Sequence, residues 1–189
     1  MRYPTPPNPP TDIATALEAD HQAIERDLGT LEAGAPAGAS ERRKAAGDVA
    51  ADLASDAAVK EAHLYPFMRK FLPDGEEVAR RQVAGNGRVE RELKELESAE
   101  DERFEVVLAR LTAQVRARFA EEARILPKLV AATTARQRRE HGRRLLTAKR
   151  TAPTRAHPDG PDEPPMNRIA HRGLALADRL RDAAEGRRR

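Results

Sequence analysis

Apolar residues recur at helical spacing along four stretches of this chain, at residues 11–33, 49–71, 76–99 and 102–133. In the second stretch they share one side, at Val49, Leu53, Leu64, Phe67 and Phe71. Such a stripe is typical of an amphipathic helix, and no window shows the period-two alternation of a strand. Four such helices joined by short loops predict an all-α fold, an up-down-up-down four-helix bundle over residues 11–133.

Polar residues interrupt each of the four stripes near its midpoint. They are His21 in the first, Asp56 and Lys60 in the second, Asn86 and Glu90 in the third, and Arg118 and Glu122 in the fourth. A protein that buries ionisable groups must neutralise them with a bound cation or with one another, because an unpaired buried charge is costly. The sequence therefore predicts one polar layer shared by four helices, and the means of neutralisation decides the function.

The second and fourth helices share a phrase that contains a proline. EAHLYPFM occupies residues 61–68 and EARILPKL occupies residues 122–129, and in both the proline follows five residues after the glutamate. Proline removes one internal hydrogen bond of a helix and displaces the preceding turn. We therefore expect a distortion of the helix near Pro66 and another near Pro127.

Composition narrows the function classes. The chain has no cysteine, so disulfides, thiolate metal sites and thiol nucleophiles are all excluded. Aromatic residues make up only 3% of it. No apolar run reaches membrane length, and the N-terminus lacks the apolar core of a signal peptide. No Ser-His-Asp order, phosphate-binding loop or paired-carboxylate pattern of a hydrolase occurs. We expect a cytoplasmic protein that is not an enzyme and has no membrane partner.

The two ends of the chain differ in composition from the middle. Residues 1–10 hold five prolines and predict a disordered lead, and 151–166 form a proline-rich linker before a C-terminal amphipathic helix and basic tail at 167–189. Between these segments, residues 134–150 predict a basic helical extension with seven Lys/Arg and one acid. That run has no interleaved aromatics and no recognition motif, which favours a solvated helix over a nucleic-acid surface. A binder of nucleic acid or of an acidic partner is the alternative.

Four phrases, in this order along the chain, carry a resemblance to a known family. They are LEADHQAIERDL, EAHLYP, VERELKELE and EARILPKL. The chain resembles the hemerythrin-like, or HHE cation-binding, domain proteins, of a bacterial type with a proline-rich tail and a short terminal helix. The resemblance implies a four-helix bundle that holds a non-heme di-iron centre through histidine and carboxylate side chains. Members of that family bind oxygen, respond to oxygen or redox signals, or detoxify peroxide and nitric oxide.

The family's ligand positions are only partly kept in this chain. The first histidine corresponds to His21, the second falls on Asp56, the third on Asn86, and the fourth on Ala117 or Arg118. Among the carboxylates, Glu61, Glu90 and Glu122 are retained, Glu121 lies beside the last of them, and Lys60 stands where another glutamate is usual. At most one of the family's histidines therefore remains, and the resemblance implies a degenerate site.

Two interpretations of the polar layer follow. In the first, Lys60 and Arg118 replace the charge of the metal, within a core network that also contains Asn86 and Glu121, and no cofactor is bound. Lys60 and Arg118 would pair with the carboxylates of Asp56, Glu61, Glu90 and Glu122. In the second, His21 and those four carboxylates hold a residual cation of the iron type or sense oxygen or redox state. An ammonium nitrogen of Lys60 within hydrogen-bond reach of two carboxylates would support the first, and a protein partner stays open in both.

Overall fold

The computed structural model describes residues 12–35 and 37–151, and over these ranges it is all-helical with no strand. The elements are α1 (Ile13–Glu32), α2 (Ala39–Val59), a π-helical turn (Lys60–Leu64), α3 (Tyr65–Phe71), α4 (Gly75–Ser98), α5 (Asp101–Ala131) and α6 (Ala135–Thr151). The predicted all-α class is confirmed. The predicted lead at 1–10, the linker beyond residue 151 and the helix at 167–189 lie outside the described residues.

The helix predicted from residue 49 begins ten residues earlier, at Ala39. The first turns of α2 contain buried residues that are not apolar, so the pattern of apolar residues does not reveal them. Arg42 and Arg43 are two of these, at 8% and 3% exposure. Arg42 donates to the Leu31 carbonyl at 2.8 Å, and Arg43 donates to the Ala99 carbonyl at 2.7 Å. Both arginines therefore satisfy backbone carbonyls near the ends of neighbouring helices.

The core consists of two apolar clusters with the polar layer between them. One cluster takes the later half of α1, the earlier part of α2, the later half of α4 and the earlier half of α5, with Leu28, Leu53, Leu93 and Leu111 among its members. The other takes the opposite ends of the same helices together with α3 and α6, with Leu17, Leu64, Val78 and Leu145 among its members. One polar position of each predicted stripe falls between these two sets along its helix, namely His21, Asp56, Asn86 and Glu122.

The distortion expected near Pro66 takes the form of the π-helical turn. Across this turn the amide of Tyr65 bonds the carbonyl of Lys60, which is an i to i−5 bond. Because proline crowds the carbonyl of the residue four before it, a wider turn just ahead of Pro66 relieves the strain. At the second proline, α5 continues through Pro127 to Ala131.

α6 is an integral part of the fold because its inner side packs on the second cluster. Leu145 is completely buried, and Leu146 packs against the same cluster. Arg138 and Lys149 pair with Asp12 and Asp20 at 2.7 Å and 2.6 Å, which ties α6 along α1. None of the helices within the described ranges is long and apolar enough to cross a membrane.

The tight turn between α3 and α4 yields a prediction about two glycines. A Cβ at Gly75 would lie 2.2 Å from the Met68 carbonyl oxygen, whereas one at Gly29 in α1 would meet nothing within 4 Å. We expect Gly75→Ala to lower the free energy of unfolding by about 1–3 kcal/mol, because backbone atoms must separate. The matched Gly29→Ala should raise it by up to about 1 kcal/mol through helix propensity. Urea denaturation measures both, and a change of the same sign in the two variants would contradict the turn geometry.

Candidate functional site

The centre of the polar layer is the ammonium group of Lys60. This side chain is 1% exposed, and its Nζ lies 2.7 Å from Glu122 Oε2, 2.9 Å from Asp56 Oδ2 and 3.1 Å from His21 Nε2. An ammonium group has three N–H donors; the two carboxylate oxygens accept two of them, and His21 Nε2 accepts the third only in the tautomer that leaves this nitrogen unprotonated. Lys60 therefore has two carboxylates within hydrogen-bond reach, which is the geometry expected of internal neutralisation.

Arg118 supplies the second buried positive charge. One terminal nitrogen donates to Asp56 Oδ2 at 2.7 Å, and the other donates to Asn86 Oδ1 at 2.7 Å. Asp56 contacts both Lys60 and Arg118 through its Oδ2 atom, and this residue is completely buried. Two carboxylates, Asp56 and Glu122, face two cations, Lys60 and Arg118, so the formal charges of these four side chains cancel.

The same contacts decide the pKa values of the two buried carboxyls. Burial by itself raises the pKa of Asp56, but the charges of Lys60 and Arg118 outweigh it and hold that pKa well below its ordinary value. Burial likewise raises the pKa of Glu122, and the charge of Lys60 together with the hydrogen bond to His21 lowers it below the ordinary range. Both groups are therefore ionised across the neutral pH range, as an internal salt network requires.

His21 lies at the edge of the network, with its side chain 13% exposed. Its Nε2 is 2.8 Å from Glu122 Oε2 and 3.1 Å from Lys60 Nζ. One ring nitrogen either donates or accepts, so the tautomer selects which of these two partners forms the hydrogen bond. The His21 ring stacks on the ring of Phe119, with ring centroids 4.0 Å apart and an angle of 15° between the two ring planes.

A second branch of the network runs through the amide of Asn86. Its Nδ2 donates to Glu61 Oε1 at 3.0 Å and to Tyr65 Oη at 3.2 Å, while its oxygen accepts from Arg118. Glu61 is half-buried, and burial raises its pKa, in contrast to the carboxyls beside Lys60. Tyr65, which also belongs to the second apolar cluster, thus joins the polar layer; it faces Asn86 because it follows Glu61 by about one helical turn.

Two predicted members of the network lie outside it. Glu90 pairs with Lys94 of its own helix at 2.9 Å, and its side chain is 25% exposed. Glu121 belongs to the surface rather than to the core, since it pairs with Arg81 at 3.2 Å and is 33% exposed. Successive helical residues point about 100° apart, so a helix that directs Glu122 inward directs its neighbour elsewhere.

The five candidate metal ligands do not converge. His21, Asp56 and Glu122 surround one point, and that point is held by Lys60 Nζ, while Glu61 contacts Asn86 and Glu90 contacts Lys94. Within residues 12–35 and 37–151 there is no group of three or more His, Cys, Asp or Glu arranged to hold a metal ion. A cation placed among the first three would repel the ammonium at short range. The residues present therefore do not fit a di-iron centre.

Comparison with protein-family models, with curated proteins and with solved structures finds no match for this chain. Fold and site together define the class to which the molecule belongs. It is an all-helical protein whose interior is crossed by a network of buried ion pairs.

The buried position of Lys60 predicts a large effect on stability. We expect Lys60→Met to lower the free energy of unfolding by about 3–5 kcal/mol, because it leaves Glu122 and part of Asp56 buried without a cation. Adding Glu122→Gln restores the charge balance and should recover part of the loss. Lys94→Met is the matched control, since the Lys94–Glu90 pair is half exposed, and should cost no more than about 1 kcal/mol. Urea denaturation at neutral pH distinguishes these outcomes, and equal midpoints for Lys60→Met and Lys94→Met would contradict the network.

The lowered pKa of Glu122 predicts how the network depends on pH. A carboxyl whose folded pKa is depressed contributes stability above its ordinary pKa of 4.5, and this contribution is lost as pH falls toward the folded value. The stability gap between the wild type and Glu122→Gln should therefore be widest near neutral pH and narrow below about pH 4.5.

Urea midpoints from pH 7 to pH 3 measure this gap. Glu61 has its pKa raised by burial, but it is present in both proteins and cancels in the difference. Glu121→Gln, in an exposed pair with Arg81, is the control and should give a small gap throughout. A gap for Glu122→Gln that widens on acidification would refute the assignment.

Proposed function

We propose that this chain is a hemerythrin-like four-helix bundle whose metal-binding function has been lost and whose core charge is now supplied from within. On this proposal Lys60 and Arg118 replace the metal, the protein carries no cofactor, and it is not an enzyme. The observation that carries the proposal is the position of Lys60 Nζ, at 2.7 Å and 2.9 Å from the carboxylates of Glu122 and Asp56.

The positions of the network residues support this proposal. Each of α1, α2, α4 and α5 contributes a polar side chain to the layer. Each of these side chains stands at a position where the resembled family has a ligand, or at the residue after that position. His21 keeps the imidazole of the first helix, whereas Asp56 and Asn86 stand at the second and third histidine positions and the fourth falls on Ala117 or Arg118. One histidine provides too few nitrogen donors for a di-iron centre of the usual kind, while carboxylates with a lysine and an arginine form ion pairs readily.

The proposal assigns the buried network a structural role. Removing one member of a buried ion pair is destabilising, whereas exchanging both members for apolar groups is often tolerated. A chain that lost its metal would be left with clustered carboxylates, and gaining Lys60 and Arg118 offsets their mutual repulsion. The helices then keep the arrangement that the metal once held, without the chemistry of a metal.

A residual cation site is the competing function, and one observation favours it. His21, Asp56 and Glu122 each place a donor atom within hydrogen-bond distance of the same point. A nitrogen and two carboxylate oxygens form a donor set suited to manganese, iron or zinc. Occupation would require Lys60 to leave, which its flexible four-carbon stem allows.

Metal content separates the two functions. We expect wild-type protein purified without chelators to hold less than about a tenth of an equivalent of iron, manganese or zinc, because the ammonium repels a cation. Lys60→Met should gain affinity for zinc, whereas the control Lys94→Met should not. Elemental analysis and calorimetric titration with zinc chloride measure both. Bound metal near one equivalent in the wild type would overturn the proposal, even if Lys60→Met fails to fold.

A further inference from the structure

The basic residues of α6 fall into two groups with different surroundings. Arg138 and Lys149 face α1, where Asp12 and Asp20 neutralise them at 2.7 Å and 2.6 Å. Arg144 is neutralised within the helix by Glu140, at 2.6 Å. These three basic side chains are therefore accounted for by the fold itself.

The other four basic residues of α6 make up what we call the arginine strip: Arg136, Arg139, Arg143 and Arg150. All four are exposed. At about 100° per residue they lie within an arc of about 60° on the helix, on the side opposite the buried Leu145. None of them pairs with a carboxylate of the described residues; Arg150 makes only a long hydrogen bond to Thr147, at 3.5 Å. Among the residues that the structure describes, the positive charge of the strip is therefore uncompensated and exposed.

The dimensions of the strip suit a repeating anion. From the first to the last of its arginines, α6 rises about 21 Å, with intervals of about 4.5, 6 and 10.5 Å between successive members. A nucleic-acid strand carries one phosphate per about 3.4 Å of axis, so several phosphates lie within that span. The guanidinium group binds phosphate through two parallel hydrogen bonds, which makes arginine well suited to such a backbone.

The surroundings of the strip argue against a membrane. A helix that lies in a membrane interface needs apolar side chains beside its basic ones. The apolar side chains of α6, Leu145 and Leu146, are instead packed into the second core cluster. No aromatic residue lies on the strip either, so it offers no platform on which unpaired bases would stack.

We propose that the arginine strip of α6 is a docking surface for the phosphate backbone of duplex nucleic acid, without readout of bases. The contact is electrostatic and independent of the buried network, so it stands apart from the function proposed for the core. Duplex should be favoured over single strands, since a straight row of charges matches a regular backbone and no stacking residue accompanies it.

The test measures binding of the full chain to fluorescein-labelled DNA and RNA duplexes by fluorescence anisotropy over a series of salt concentrations. The triple variant Arg136→Ala/Arg139→Ala/Arg143→Ala removes three charges from the strip. Arg80→Ala/Arg88→Ala/Arg91→Ala removes the same number from exposed positions of α4 and is the matched control. Both variants keep the three terminal arginines, so a contribution from that tail is common to them.

We expect the strip variant to weaken duplex binding by about tenfold or more at low salt, and to reduce the slope of log K against log salt by about 3. The control should change affinity by less than about twofold, and thermal melting should show both variants folded, because the substituted side chains are exposed and alanine favours helix. The DNA and RNA arms identify which duplex is preferred.

Four results would overturn the proposal. They are an equal loss in the two variants, no salt-dependent binding by the wild type, tighter binding to a polyglutamate peptide than to either duplex, and preferential binding to anionic lipid vesicles. The first would attribute binding to net charge alone, and the last two would assign the strip to an acidic protein or to a membrane.

Discussion

The arrangement of the helices depends on an ammonium group held between two carboxylates in the protein interior. Lys60 Nζ contacts Glu122 of α5 and His21 of α1, while the preceding turn of its own chain segment supplies Asp56 from α2, so these polar contacts join three helices at one point. At distances of 2.7 to 3.1 Å, rotating or sliding any of these helices breaks a contact and leaves a buried charge unpaired. Such a penalty is large, and it falls on misaligned arrangements far more than on the native one.

The network also explains why the apolar core is divided. Apolar side chains pack on either side of the layer, and each cluster by itself would tolerate a small displacement of its helices, since aliphatic contacts are not directional. Ion pairs and hydrogen bonds are directional, so the layer selects one alignment among those that the apolar clusters permit. We interpret the layer as a source of conformational specificity rather than of net stability, because exchanging a whole buried ion pair for apolar side chains of similar volume is often neutral or stabilising.

Local backbone geometry contributes to the same result. The π-helical turn carries the central cation Lys60 and Glu61, and it is followed directly by Tyr65; Glu61 and Tyr65 both accept from the Asn86 amide. Pro66 removes one internal hydrogen bond and so favours a widened turn there, but Pro127 lies within a continuous α5, so a proline alone does not impose such a turn. On α6, charge is divided between two sides: Asp12 and Asp20 neutralise Arg138 and Lys149 on the inner side, while the arginine strip has no carboxylate partner among the described residues.

The pattern of apolar residues determined the helical class and the approximate extent of most helices, because a period of 3.6 residues is a local property. It also located the polar layer, since the interruptions at His21, Asp56, Asn86 and Arg118 are visible along the chain. The partners of each charge were decided by tertiary structure: Glu90 turned to Lys94 and Glu121 to Arg81, while Tyr65 entered the layer. The early start of α2 was also missed, because its buried arginines find their acceptors on other helices. Periodicity reports which side of a helix faces inward, whereas a hydrogen bond depends on where a second helix places its atoms to within a few tenths of an ångström.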